Sequence, residues 1–253
     1  MTPILRPYHD NTASLQAKDS TYTLHYFGFH GLGACPRALL CFGGAKWTNK
    51  SQAIETWPEV KPTLPFNTLP NLIETTAAGE VIVIPESAAM ERYLGKKFGL
   101  MGDTFWEETL VDVYYNLAVV ANFKFVEKIV WTLDDARERF LSEFLEKTLP
   151  NWITCCERHL EASGNTGHFV SDKFTLADIK TAVVMDTMLA LDTAHLLNAT
   201  ASPCLWKLKK AVDSFPAYHA WRKSAEYQSF DDATQTPLSK MMPYDISKSR
   251  VFA

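Results

Sequence analysis

The pattern of apolar residues changes once along the chain, at "KFGLMGD" (Lys97–Asp103), and that change limits the folds open to it. Ahead of it, short β-branched and aromatic runs alternate with glycine and proline. "TYTLHYF" reads as a strand, "GFHGLGACPRALLCF" as a glycine-punctuated loop entering a short helix, and the stretch near Trp47 to Ile54 as a second strand. "PFNTLPNLIETT" supplies a turn and a strand, and "GEVIVIP" its hairpin partner across the small residues near Ala77 to Gly79. A helix opens at Ser87. The order is βαβ, then a β-hairpin, then a helix.

From Thr104 to about Tyr227 the apolar residues recur at helical spacing and strand patterns are absent. One helix is expected from roughly Phe105 to Val130. A second runs from about Asp134 to Glu161, with Phe140, Phe144, Leu145, Trp152, Ile153, Cys156 and Leu160 on one side and Pro150 as a kink. In "KFTLADIKTAVVMDTML", Thr175 and Asp178 have the capping-box spacing, and Phe174 and Ile179 that of a hydrophobic staple. Further helices follow near Pro203 to Val212 and Pro216 to Glu226. The fold class is an α/β domain followed by an all-α domain. Residues 1–19 form an extension, 20–101 the α/β domain, 102–230 the helical domain and 231–253 a tail.

Glu86-Ser87 stands where the strand "IVIP" gives way to the helix. The first N–H groups of a helix lack partners and its dipole is positive there, so Ser87 can cap the helix or help hold a carboxylate, while Glu86 can take an ammonium. Acceptor and donors side by side suit the zwitterionic end of an amino acid. On this stretch alone, a plain serine cap with a solvated glutamate is the simpler reading.

With 253 residues, 47% hydrophobic and 21% charged, the composition is that of a globular protein with one or two sizeable cores. A formal net charge of -4 gives no electrostatic footprint for nucleic acid or an anionic membrane. No apolar run approaches the roughly 18 residues of a membrane span, and "MTPILRPYHDN" lacks the apolar core of a signal peptide, so a cytoplasmic location is expected. Cys35, Cys41, Cys155, Cys156 and Cys204 lack the paired spacing of a zinc site, and no two histidines stand at i, i+4, so no metal is expected.

Taken in order, "YTLHYF", "TWPEVKPTLPFNTLPNLIE", "IPESAAMERYLGKKFGL" and "FTLADI" resemble the cytosolic glutathione transferases, with the sigma class, which includes glutathione-dependent prostaglandin D synthases, looking closest. The likeness runs from about Thr21 to Ser229 and is stronger in its first half. It implies a thioredoxin-like domain followed by an all-helical domain, a cytoplasmic homodimer, and glutathione as substrate or cofactor. The implied glutathione-binding residues are Tyr26, Trp57, Lys61, Asn67, Thr68, Leu69, Glu86 and Ser87. Glu86 and Ser87 would hold the γ-glutamyl end. Leu69, before a cis-proline at Pro70, would offer its backbone to the cysteinyl part, beside Asn67 and Thr68. Trp57 and Lys61 would meet the glycine carboxylate.

Tyr26 matches the catalytic tyrosine that stabilises the glutathione thiolate for attack on an electrophilic small molecule. The acceptor pocket would be walled by Phe29, His30, Tyr115 and Phe123. Against the sigma pattern Arg-Gly-Arg, this chain has His30, Gly31 and Leu32, and Asn116 replaces an acidic residue that reaches glutathione across the dimer. Two other readings stay open. One is a non-catalytic binding or structural protein on the same fold. The other is a thiol transferase using Cys35, at the start of the first helix, although its register there favours a buried packing role.

Overall fold

The computed structural model describes residues 19–127, 134–191 and 193–239. The expected extension as far as residue 18, residues 128–130 of the first long helix and residues 240–253 of the tail lie outside them. The described residues form two compact units, one of residues 19–98 with 220–234, the other of residues 99–219 with 235–239.

The first unit holds β1 (Thr21–Phe27), α1 (Ala34–Phe42), β2 (Lys46–Gln52), the single turn α2 (Trp57–Val60), β3 (Asn71–Thr75), β4 (Val81–Pro85) and α3 (Ser87–Lys97). The sheet order is β2-β1-β3-β4, with β1 and β2 parallel and the other pairs antiparallel. This is the βαβ-plus-hairpin order expected from the sequence. Alternation along β1 puts Tyr22, Leu24 and Tyr26 on one buried face, in a core with Leu39, Leu40, Leu72, Met90 and Leu94. That core also holds charge. Glu74, fully buried, pairs with Lys97 and accepts hydrogen bonds from Tyr93 Oη (2.5 Å) and Ser20 Oγ (2.6 Å).

The second unit is helical. It contains α4 (Phe105–Phe125), α5 (Asp134–Glu143), a π-helical turn (Phe144–Thr148), α6 (Leu149–Ala162), α7 (Leu176–Leu189) and α8 (Pro203–Asp213). The helix expected across Asp134 to Glu161 is resolved into α5 and α6 by the π turn, just ahead of Pro150. A proline inside a helix clashes with the preceding turn, and here the N–H of Leu149 reaches back five residues to the Phe144 carbonyl, widening the helix there. α7 is buried at every position from Leu176 to Met185, which marks it as the central helix of its unit. Its start is pinned as the sequence predicts. Buried Asp178 accepts from the Thr175 N–H (2.8 Å), the Thr175 hydroxyl (2.9 Å) and the Phe169 N–H (2.9 Å).

Beyond α8 come α9 (Pro216–Arg222) and α10 (Ala225–Ser239). α10 continues through residue 231, where the sequence pattern suggests a tail; among its described side chains it buries Tyr227 and Phe230, a stripe too sparse to announce a helix. Residues Ala220–Thr234 belong to the first unit.

Candidate active site

The register of the sheet gathers the expected site residues of the first unit at one end. Asn71 pairs with both His25 and Pro85, and Phe27 pairs with Gln52. The carboxyl end of β1, the loop from β2 into α2, the chain entering β3 and the chain leaving β4 therefore share one edge. Those four segments carry Tyr26, Trp57 with Lys61, Asn67 to Leu69, and Glu86 with Ser87.

Tyr26 is buried, and its phenol oxygen accepts a hydrogen bond from the Leu32 N–H at 3.1 Å. Burial pushes its pKa up to about 12, opposed by the Leu32 N–H and by the charge of Arg37. At neutral pH the phenol is therefore protonated and able to donate. Space before it depends on glycine: a Cβ on Gly31, which has φ +37°, would stand 2.7 Å from the Tyr26 oxygen and 2.7 Å from the Phe29 ring. A line of aromatic contacts runs from Tyr26 to Trp57. Tyr26 meets Phe29 edge-on (5.3 Å), Phe29 stacks on Phe27 (5.7 Å), and Phe27 meets buried Trp57 edge-on (5.3 Å). Lys61 is half-buried at the end of the α2 turn, and its ammonium forms no ion pair among the described residues.

On the other side of this edge the Leu69-Pro70 bond is cis, as the family resemblance implies, and Asn67 is left-handed with φ 55°. Glu86 is the N-cap of α3, with φ 65° and ψ 109° and no side-chain cap bond. A non-glycine residue held there is strained, and such strain gathers at ligand sites. Ser87 is the first residue of the helix, so the simple serine cap is not formed. Among the described residues, no protein group pairs with the Glu86 carboxylate or the Ser87 hydroxyl.

Three supports of these segments escape sequence reasoning. Arg37, 1% exposed, donates from Nε to Asn49 Oδ1 (2.8 Å) and from its Nη atoms to the carbonyls of Phe29 (2.9 Å), His30 (3.5 Å) and Phe27 (3.4 Å). Gln52 donates to Thr56 Oγ1 (2.8 Å) and meets His25 Nε2 through Oε1 (3.2 Å), fixing the approach to Trp57. Asn71 Nδ2 donates to the Thr68 carbonyl (2.8 Å), next to the cis bond. For two of them the available signal was a polar residue inside a buried run, Arg in "ACPRALLCF" and Asn opening β3; Gln52 ends the largely exposed β2 and had none.

The other expected residues lie as follows. Phe29 is half-buried beside Tyr26, whereas His30 is buried against Trp221, Tyr227 and Phe230. In the helical unit Tyr115 is fully buried and Phe123 exposed on α4, and Asn116 is exposed, donating to the Asp112 carbonyl (2.7 Å). Cys35 is 1% exposed in the first turn of α1, the packing position its register suggests. The described residues contain no cluster able to hold a metal ion and no helix long and apolar enough to cross a membrane.

Residues 122–225 match the family described as "Glutathione S-transferase, C-terminal domain". A glutathione S-transferase of Anopheles gambiae is 30% identical over 179 residues, covering 70% of this chain and 84% of that protein. The hematopoietic prostaglandin D synthase of Gallus gallus is 28% identical over 200 residues, covering 79% of this chain and 94% of that one. The solved sigma class glutathione S-transferase of Fasciola hepatica superposes with a TM-score of 0.70 at 25% identity, covering 82% of this chain and 99% of its own.

Proposed function

The chain belongs to the glutathione S-transferase family, and from that premise we propose that it binds glutathione along the sheet edge between Glu86-Ser87 and Trp57-Lys61, with the sulfur at Tyr26. It is an enzyme of glutathione-dependent transfer or isomerisation. The observation that carries the binding reading is the Glu86-Ser87 step: a strained backbone at a helix N-terminus, with carboxylate and hydroxyl both unpaired among the described residues.

In this reading Glu86 takes the γ-glutamyl ammonium, and Ser87 with the first N–H groups of α3 takes the neighbouring carboxylate. The Leu69 backbone pairs with the cysteinyl amide, beside Asn67 and Thr68. Trp57 donates its indole N–H to the glycine carboxylate and Lys61 supplies a cation. Tyr26 donates its hydroxyl hydrogen to the sulfur. A free thiol titrates near ~8.5, and one or two charge-assisted hydrogen bonds, at ~1.4 kcal/mol per pKa unit, bring thiolate into the neutral range. The thiol proton leaves to solvent, and the thiolate attacks the electrophilic carbon of the acceptor. Where a leaving group departs the product is a conjugate. Where the sulfur adds and is later expelled, the acceptor is isomerised and glutathione is regenerated.

On the first unit Phe29 would meet the acceptor, with His30 behind it; Tyr115, fully buried, offers an acceptor no surface, and Phe123 lies on the exposed side of α4. The protein would act as a cytoplasmic homodimer. Burial of Cys35 argues against a thiol transferase based on that residue. Calorimetric titration with glutathione tests the site. Wild type should saturate in the millimolar range or tighter, and Trp57→Ala or Ser87→Ala should weaken binding by roughly 1–3 kcal/mol. Absence of both heat and thermal shift at high millimolar glutathione would refute the reading.

A further inference from the structure

The loop of residues 28–33, between β1 and α1, carries the Leu32 N–H that meets Tyr26 Oη. Its path is unfavourable in isolation, since Gly28, Gly31 and Gly33 leave the unfolded chain many conformations. Two groups from different parts of the sequence fix it. From below, Arg37 binds the carbonyls of Phe27, Phe29 and His30. From the C-terminal segment, Thr234 Oγ1 accepts the His30 N–H at 2.8 Å while donating its own hydrogen to the Phe230 carbonyl at 2.7 Å. The two supports also meet each other: the Arg37 guanidinium lies 4.4 Å from the centre of the Phe230 ring.

The same segment encloses the His30 side chain. Its ring stands 4.4 Å from that of Tyr227 and 6.1 Å from those of Trp221 and Phe230, and Nε2 is 3.9 Å from the Asp231 carboxylate. Trp221 in turn packs on Trp47 of β2 at 5.4 Å. His30 is thus an anchor of the loop in a cage built by α9 and α10.

We propose that Phe230 and Thr234 of α10, together with Arg37, are positioning residues for Tyr26: they clamp the β1–α1 loop in the one conformation that keeps the Leu32 N–H on the phenol oxygen. The catalytic meaning of the clamp rests on the role of Tyr26 proposed above. An N–H donating to Oη polarises the phenol and strengthens the hydrogen bond that it gives to a thiolate. A loosened loop withdraws that donor and admits water. The C-terminal helix acts through two backbone groups, the His30 N–H and the Leu32 N–H, without touching the reacting sulfur.

The test uses the full chain with Thr234→Val, which keeps the volume but removes the acceptor, Thr234→Ser as the conservative rescue, Phe230→Leu, and Tyr26→Phe in parallel. Amide hydrogen exchange at Leu32 is measured without glutathione, and thiolate absorbance against pH with it. In folded Thr234→Val and Phe230→Leu, exchange at Leu32 should quicken several-fold to about tenfold, the thiolate titration should move to higher pH, and Thr234→Ser should restore both. Unchanged Leu32 exchange in both variants overturns the clamp whatever glutathione does. Faster exchange with an unmoved titration, while Tyr26→Phe moves it, overturns the positioning role. If Tyr26→Phe leaves the titration where it was, the proposed role of Tyr26 fails, and with it the positioning claim; Leu32 exchange then still decides whether the clamp holds the loop.

Discussion

The backbone N–H of Leu32 donates to the phenol oxygen of Tyr26 across 3.1 Å, although Leu32 stands where the sigma pattern has an arginine. A leucine side chain removes the cation but leaves the amide, and Gly31 ahead of it keeps the oxygen clear. What the site loses in charge at residues 30 and 32 it retains in backbone geometry. A fixed cation remains in Arg37, 5.9 Å from the Tyr26 ring, whose pKa is lowered to about 10 by burial. It remains charged throughout the neutral range.

Tyr26→Phe should lower the rate of conjugation tenfold to a hundredfold, the ~1.5–3 kcal/mol of one charge-assisted hydrogen bond to sulfur. The acid limb of kcat/KM against pH reports thiolate formation, so it should move to higher pH in the variant. In wild type, activity should show no loss from phenol ionisation below the region of about 12. Cys35→Ser should keep most of the activity. Steady-state kinetics on a generic electrophile decide between them, and an active Tyr26→Phe with an inactive Cys35→Ser would move the chemistry to the cysteine.

His25 gives a pH dependence of stability. Burial holds its pKa below the usual 6.5, so the unfolded chain binds the proton more readily than the folded one. Its contribution is complete above the unfolded pKa, declines as pH falls below about 6.5, and levels off below the folded value. Urea midpoints measured between neutral and mildly acid pH should fall for wild type. In His25→Gln that dependence should be shallower, and equal slopes in the two proteins would contradict the argument.

The buried pair of Glu74 and Lys97 should be more costly to break than to replace. Glu74→Gln or Lys97→Met alone strands a charge in the core and should cost ~3–5 kcal/mol, whereas the double variant should lose clearly less than the sum. A double-mutant cycle by urea denaturation measures the coupling. Strict additivity would mean that the two groups are not ion-paired in solution.

Sequence legibility followed the range of the interactions. β1, β4, α3 and the capping box of Thr175 and Asp178 rest on periodicity and on contacts a few residues apart, and each is found where its local pattern puts it. The ligand positions on the sheet edge were visible only through family likeness, since Trp57 or Lys61 alone reads as packing or solvated surface. Arg37 was illegible for a different reason. A buried guanidinium needs acceptors, and its acceptors are carbonyls of another segment together with Asn49, so nothing next to Arg37 announces them. The bond from His30 to Thr234 spans 204 positions and leaves no local trace in either stretch.

The exposed face of α4 carries an apolar stripe. Trp106, Val113 and Val120 recur every seven residues, at 64%, 55% and 51% exposure, and Phe123 follows at 60%. Seven residues are close to two helical turns, so the first three lie nearly in line. Phe123, three positions past Val120, continues the same side. An apolar stripe of this length on a helix otherwise buried through Val111, Tyr115, Ala118 and Phe125 suits an interface with a second copy of the chain. Light scattering at micromolar concentration should give twice the 28.5 kDa chain mass. Val113→Glu with Val120→Glu should shift the mass toward the monomer, because each places a charge at the centre of an apolar contact, while circular dichroism stays unchanged at these solvent-facing sites. If wild type runs as a monomer, Asn116 has no partner subunit to reach across to. If the double variant stays dimeric, the interface lies on another face.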